Sequence, residues 1–341
     1  MNLACKRILV TGGVGFIGSE LVRQLADQNA TVTVVDSLVN GKRENLNGVL
    51  GSRVQLVVAD IRDRRLMREL MTGLDVLIHM ACLGVRHSLH SPQENHEVNA
   101  GATLGLLSLA RDRNVKRFVY VSSSEIYGTG RYVPMTEEHP AFPGHIYGAS
   151  KLAGECYTRA FYESYDFPTV VVRPFNTYGP RCHHEGDSGE VIPKFVLRCL
   201  AGQPMIIFGD GIQTRDFTYV SDTARGILLA AVSDEAVGET LNLGNGSEIS
   251  INNLAQEVAS VVGCANVEIQ HDTPRPGDAG RLCADISNAR RLLQFQPKVP
   301  LREGIAKVRD WYLSLGVAPE KLLEEEVVHN WKGPGVSAYV G

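Results

Sequence analysis

A chain of 341 residues, 44% hydrophobic and 21% charged, can build a sizeable core and is long enough for one large domain plus a smaller partner. Its net charge of -4 supplies no general field for gripping a phosphate backbone, which argues against a nucleic-acid partner. No run of about 18 apolar residues appears, which argues against a membrane partner, and the opening MNLACKRILV lacks the apolar stretch and cleavage site of a secretory signal, so the expected compartment is the cytoplasm.

Strand-like runs of β-branched and apolar residues recur at 7–11, 31–36, 54–58, 76–80, 118–122 and 169–173. Helical patterns lie between most of them. The stretch 16–29 places Ile17, Leu21, Val22 and Leu25 on one face, and 94–114 and 147–165 are longer amphipathic candidates. Alternation of this kind predicts a parallel sheet covered on both faces, hence a doubly wound, Rossmann-type α/β domain over 1–178. Beyond about residue 175 the rhythm breaks into loop signals, GPRCHHEGDSGE at 179–190 and DTPRPGDAG at 272–280. Helical stretches near 191–201, 222–232, 251–262 and 303–315 predict a smaller mixed α/β C-terminal domain over 179–317, with 224–232 or so able to pack back on the sheet. Residues 318–341 form a tail that reads equally as an ordered arm or a loose end. Seven cysteines, an odd number without C-x-x-C pairs, read as reduced thiols with no metal site.

The run ILVTGGVGFIGSELVRQL puts Gly12, Gly15 and Gly18 between a strand and a helix. Glycine there lets the backbone turn tightly and approach a pyrophosphate, whose charge meets helix N-terminal N–H groups. Asp36, ending the second strand, suits the adenine ribose hydroxyls and repels a 2′-phosphate, so NAD is expected over NADP; Lys42 and Arg43 just beyond are the opposing signal. Asp60 follows the strand-like VQLVVA, where a side chain can face the adenine. Tyr147 and Lys151, four apart at a helix start, share a face, and a nearby ammonium and a positive nicotinamide favour phenolate over phenol. Such a pair is common on protein surfaces, and spacing alone does not make it a catalytic site.

TGGVGFIG, SSSEIYG, YGASK, RPFNTYGPR and GDGIQTRDFTYVSD stand in the order and at about the distances found in one family. Over about residues 7–312 the chain resembles the extended short-chain dehydrogenase/reductase family, in its nucleotide-sugar epimerase and dehydratase branch. The resemblance implies that Tyr147 is the catalytic base, that Lys151 binds the nicotinamide ribose and lowers the pKa of that tyrosine, and that Ser123 orients the sugar's C4 oxygen. It adds Phe16, Ile17, Ile61, Met80, Ala81 and Asn99 to the cofactor contacts. For a nucleoside-diphosphate sugar, UDP-linked by the commonest case, it implies contacts from Ser124 and Asn176, a diphosphate contact from Arg215, a second from Arg275 and a ribose contact from Asp278. Arg86 is expected near the sugar, although its stretch, HMACLGVR, is one residue shorter than the family's common form and carries Cys82 in place of an alanine.

Glu125 bears on which reaction follows C4 oxidation. Simple 4-epimerases of this branch usually carry a small side chain there, whereas a carboxylate suits removal of the C5 proton acidified by a C4 ketone. The expectation is therefore 4,6-dehydratase-type chemistry, ahead of 4-epimerisation and then uronate decarboxylation. A catalytically silent NAD-binding protein is disfavoured by the retention of Tyr147 and Lys151. The family further implies a homodimer through a four-helix interface from 92–113 and 147–165, whose apolar faces, including Leu104, Leu107, Cys156 and Phe161, are expected to be only partly covered otherwise.

Overall fold

A computed structural model describes residues 1, 3–186, 188–264, 266–275 and 278–331. The first half alternates strand and helix: β1 (Arg7–Thr11), α1 (Phe16–Asp27), β2 (Thr31–Asp36), β3 (Val54–Val58), α2 (Arg64–Leu70), β4 (Val76–His79), α3 (Val85–His90), α4 (Pro92–His96), α5 (Ala102–Asp112), β5 (Arg117–Val121), α6 (Ile146–Tyr165) and β6 (Thr169–Pro174). There follow β7 (Asn176–Tyr178), α7 (Val191–Leu200), β8 (Met205–Phe208), β9 (Thr214–Arg215), β10 (Phe217–Tyr219), α8 (Val220–Val232), β11 (Thr240–Leu243), β12 (Ile249–Ser250) and α9 (Ile251–Val262). The chain continues through β13 (Ile269–Asp272), α10 (Ser287–Leu293), α11 (Leu301–Ser314) and α12 (Pro319–Leu323).

Seven strands form one parallel sheet in the order β11-β6-β5-β4-β1-β2-β3. The chain runs outward from β1 to β3 and then returns to β4, so the strand order reverses between β1 and β4 and opens a crevice at their C-terminal ends. Both faces are dry, as a parallel sheet requires: α1 and α8 cover one through Leu21, Val22, Leu25, Ile227 and Leu228, and α5 and α6 cover the other through Leu106, Leu107 and Phe161. The helical stretch predicted to pack back does so as α8, and it leads into β11, an edge strand that periodicity did not reveal. A separate core of Phe195, Val196, Ile207, Leu254, Val258, Ile305 and Val308 holds α7, α9 and α11 together.

The stretch 94–114 is helical as expected, running without a break from Pro92 to Asp112, with a π-helical turn at Glu97–Gly101 between α4 and α5. That turn brings both Asn95 and Asn99 inward, where their amides bond Leu83 and Ser150. The apolar face proposed for a partner subunit is also largely covered within the chain: Leu107 is 0% and Phe161 7% exposed, so among the four residues named only Leu104 and Cys156 remain outward. Residues 318–331 are an ordered arm that returns past α7, where Glu326 pairs with Arg198 at 2.8 Å; the rest of the tail, 332–341, lies outside the described residues. Among the described residues no helix is long and apolar enough to cross a membrane.

Candidate active site

The crevice at the strand-order reversal opens into a continuous cleft of about 900 Å³. Gly12, at the end of β1, adopts φ +74°, and a Cβ there would stand 2.7 Å from the Ala81 nitrogen. A Cβ on Gly18 would collide with the Gly12 carbonyl, so a side chain at either position would force apart the backbone segments that border the cleft. Gly15 caps α1, and Phe16, Ile17 and Gly18 form its first turn against the cleft. First-turn N–H groups lack acceptors within a helix, and they and the helix dipole suit a pyrophosphate. At the end of β2, Asp36 is 7% exposed and accepts from the Val14 and Leu38 nitrogens at 3.2 and 2.9 Å. Burial raises its pKa against those two hydrogen bonds. These residues fit a dinucleotide: a glycine-lined floor for the phosphates and an acid placed for a ribose.

Asp60, Ile61, Met80 and Ala81 also border the cleft. Asp60 is, however, occupied by its neighbour, accepting from the Arg62 guanidinium at 2.7 and 3.0 Å and from the Arg62 backbone nitrogen at 2.7 Å. Asn99, the last of the expected cofactor contacts, is held by its neighbours. It is 1% exposed, does not border the cleft, and spends its amide on Leu83, Asn95 and Ser150. Its role is to hold the Leu83 segment that forms a wall of the cleft. Lys42, the sequence signal for NADP, bonds Glu185 at 2.6 Å, so its charge is already matched.

At the centre of the cleft, Ser123, Ser124 and Glu125 follow β5 while Tyr147 and Lys151 occupy the first two turns of α6. Lys151 is 2% exposed; its ammonium donates to the Val121 carbonyl at 2.6 Å and lies 4.6 Å from the centre of the Tyr120 ring. Burial lowers its pKa, with Cys82 and Glu155 opposing. The Tyr147 hydroxyl meets Ser123, and burial together with Cys82 and Glu125 pushes the phenol well up, against the Ser123 hydrogen bond. A cation beside that ring is therefore needed to release its proton near neutral pH. Glu125 accepts from His145 Nε2 at 3.0 Å. Burial favours its neutral form, but His145, Arg215 and Arg86 outweigh that and hold the carboxyl below its ordinary value.

The cleft continues past Arg86 and Asn176 to Arg215, Arg275 and Asp278, with a side cavity of about 130 Å³ bounded by Phe208, Ile207 and Val328. The buried Asn176 Oδ1 and the Nε atoms of Arg86 and Arg275 have no hydrogen-bond partner among the described residues, which marks this end as built for a polar ligand. Arg215 and Asp278 are brought together rather than left apart: they pair at 2.5 Å, and Arg215 also donates to the Ala279 carbonyl at 2.7 Å.

Sequence reasoning missed His145, Phe208 and Trp331. The guanidinium of Arg275 lies 5.5 Å from the Phe208 ring centre and 5.3 Å from that of Trp331. His145 had one signal, its place at the N-cap of the helix that carries Tyr147 in its first turn. Trp331 had none, because its partners are distant in sequence.

Residues 8–244 match the model of the NAD dependent epimerase/dehydratase family. A putative UDP-glucose 4-epimerase of Methanocaldococcus jannaschii is 37% identical over 307 residues, 89% of this chain and 97% of that protein. A UDP-N-acetylglucosamine 4-epimerase from Methanobrevibacter ruminantium, solved with UDP-N-acetylmuramic acid, is 33% identical with a TM-score of 0.87, covering 92% of this chain and 99% of that one. A dTDP-glucose 4,6-dehydratase from Streptomyces venezuelae, solved with NAD bound, is 33% identical with a TM-score of 0.84, covering 90% and 97% respectively.

Proposed function

The chain belongs to the NAD dependent epimerase/dehydratase family, and on that premise we propose that it is a 4,6-dehydratase of a nucleoside-diphosphate hexose, most naturally a UDP-hexose. It is an NAD-dependent enzyme of nucleotide-sugar chemistry. Gly12, Gly15, Asp36 and Lys151 would hold NAD, which would supply a reversible hydride acceptor and a positive charge.

The residues divide the remaining work. Asn176, Arg275 and the Arg215–Asp278 pair hold the nucleoside diphosphate, with guanidinium groups suited to its oxygens. Ser123 orients the C4 hydroxyl, and Tyr147, kept close to Lys151, accepts its proton as the C4 ketone forms. Glu125 then takes the C5 proton that the ketone has acidified and passes it to the C6 oxygen, so that the C6–oxygen bond breaks and the hydroxyl leaves as water. A hydride returned to C6, together with delivery to C5 of the proton Tyr147 had accepted, would complete the 4-keto-6-deoxy sugar and restore both bases.

One observation carries this reading: a carboxylate held in its anionic form borders the cleft two residues after Ser123. A second reading, 4-epimerisation, is favoured by the likeness to the M. jannaschii and M. ruminantium proteins. Mass spectrometry of products from UDP-, dTDP- and GDP-sugars separates them. Loss of one water supports the dehydratase; an isomer of unchanged mass replaces it with the epimerase, and loss of carbon dioxide from a uronate with the decarboxylase.

We also propose a homodimer through α5 and α6, resting on family likeness and on the outward Leu104 and Cys156. A sedimentation mass of one chain would end that proposal.

A further inference from the structure

His145 sits between the two groups that handle protons. Its Nδ1 is 3.0 Å from the Gly148 backbone nitrogen, which can only donate, so Nδ1 is the acceptor and caps α6. The ring proton of the neutral imidazole is therefore on Nε2, which lies 3.0 Å from Glu125 Oε2 and donates to it. The imidazole is also 6.0 Å, centre to centre, from the Tyr147 ring. Gly148 makes this closeness possible, since a Cβ there would stand 2.6 Å from the Glu125 carbonyl.

We propose that His145 is a positioning residue that fixes the Glu125 carboxylate and ties it to the helix start that carries Tyr147. One imidazole then sets both the C4 base and the C5 base against the same sugar. With Oε2 committed to His145, a proton taken from C5 goes to Oε1. His145 does not relay that proton onward. A second ring proton would have to occupy Nδ1, facing the Gly148 N–H and destroying the cap. The other charged and titratable groups around the pair are Arg86 from α3, Arg215 from β9, and Tyr147 and Lys151 from α6 itself. The two arginines help keep Glu125 anionic, and they do not orient it through a bond of their own to the helix.

This inference rests on Glu125 as the C5 base, and the variants are chosen so that the two fail differently. His145→Asn keeps an acceptor where Nδ1 stood, preserving the cap, and removes the donor to Glu125. The NAD-loaded His145→Asn enzyme is expected to melt like the wild type and to give a normal rise near 340 nm with substrate, with an unchanged KM. Its exchange of the C5 proton with deuterated water should fall by about tenfold or more, with the acid limb of the kcat profile moved to higher pH. Wild-type exchange in His145→Asn alongside lost exchange in Glu125→Gln overturns the role of His145 and leaves Glu125 standing. Should Glu125→Gln exchange at the wild-type rate, or the wild type not exchange at all, the base reading falls and the ring nitrogen signals of His145 decide the pairing by themselves. A single Nε2-protonated form that shifts in Glu125→Gln upholds it; a mixture of tautomers, or no shift, overturns it.

Discussion

Lys42, just past the end of β2, and Glu185, in the loop before α7, meet at 2.6 Å across the mouth of the dinucleotide cleft. His183 Nδ1 joins Glu185 at 3.1 Å, and Arg181 from the same loop pairs with Glu20 of α1 at 2.7 Å. The loop 179–190 is thereby clasped to the cofactor domain at two points. Lys42 is half exposed, so each bond of this kind contributes only about 0.5–1 kcal/mol. Glu185→Gln is expected to speed release of bound NAD by roughly two- to fivefold with the fold intact. Exchange of bound dinucleotide against labelled NAD measures this, and an unaltered rate removes the clasp.

Tyr147→Phe and Glu125→Gln should stop the reaction at different points. Without the phenol no C4 proton is accepted, so Tyr147→Phe is expected to lose about 10²–10⁴ of kcat and to show no absorbance rise near 340 nm with substrate. Glu125→Gln should keep that rise and lose product. Stopped-flow absorbance with product analysis checks both, and full turnover by Tyr147→Phe would remove the C4 base.

How far these roles could be read from the chain depends on how local they are. β1, β2 and β3 are bounded as their β-branched runs suggest, and the glycine turn, Asp36 and the Tyr147–Lys151 pair sit within a few residues of the elements that position them. β11 escaped because TLNL is short and its polar Asn242 looks like a turn residue; in the fold its amide is satisfied by Tyr127, Met135 and Asp285. Periodicity marked Leu107 and Phe161 as apolar but could not say whether their own sheet or a second chain covers them. Pairings across the fold, Glu125 with His145, Lys42 with Glu185 and Arg275 with Trp331, join segments whose proximity only the topology creates. The bonds of Asn99 were out of reach for the same reason, since its Leu83 and Ser150 partners are close only once α4, the π turn and α6 have packed.

Trp331 extends the binding site with a residue from the C-terminal arm. Its ring lies edge-on to Phe208 at 4.6 Å, and the two aromatics flank the Arg275 guanidinium. A desolvated cation–π contact contributes about 1–2 kcal/mol, so Trp331→Ala is expected to raise KM for the nucleotide sugar by roughly five- to thirtyfold. The arm stays anchored by Glu326, and kcat should hardly change because the reacting carbons lie at the other end of the cleft. Steady-state kinetics with matched NAD content tests it; a fall in kcat at constant KM would contradict the assignment.

Asp216, between Arg215 and β10, ties distant parts of the chain together. Its fully buried carboxylate accepts from the Asn245, Gly246 and Ala284 nitrogens at 2.7, 3.0 and 3.1 Å. Burial pushes its pKa from 3.8 up to about 6 despite those three bonds. The folded chain thus holds this proton more tightly than the unfolded one, and the contribution is fully present below 3.8 and lost as pH rises through about 6. The difference amounts to about 3 kcal/mol, seen as a decline in stability between those pH values that levels off above them. Asp216→Asn should flatten that slope. It should also melt lower, because one amide oxygen cannot serve three donors and each buried N–H left without a partner costs about 1–3 kcal/mol. Melting temperatures of both proteins across pH 4–8 (roughly the titration window) decide the matter: an equal slope in the variant assigns the titration elsewhere, and an equal Tm denies Asp216 its anchoring role.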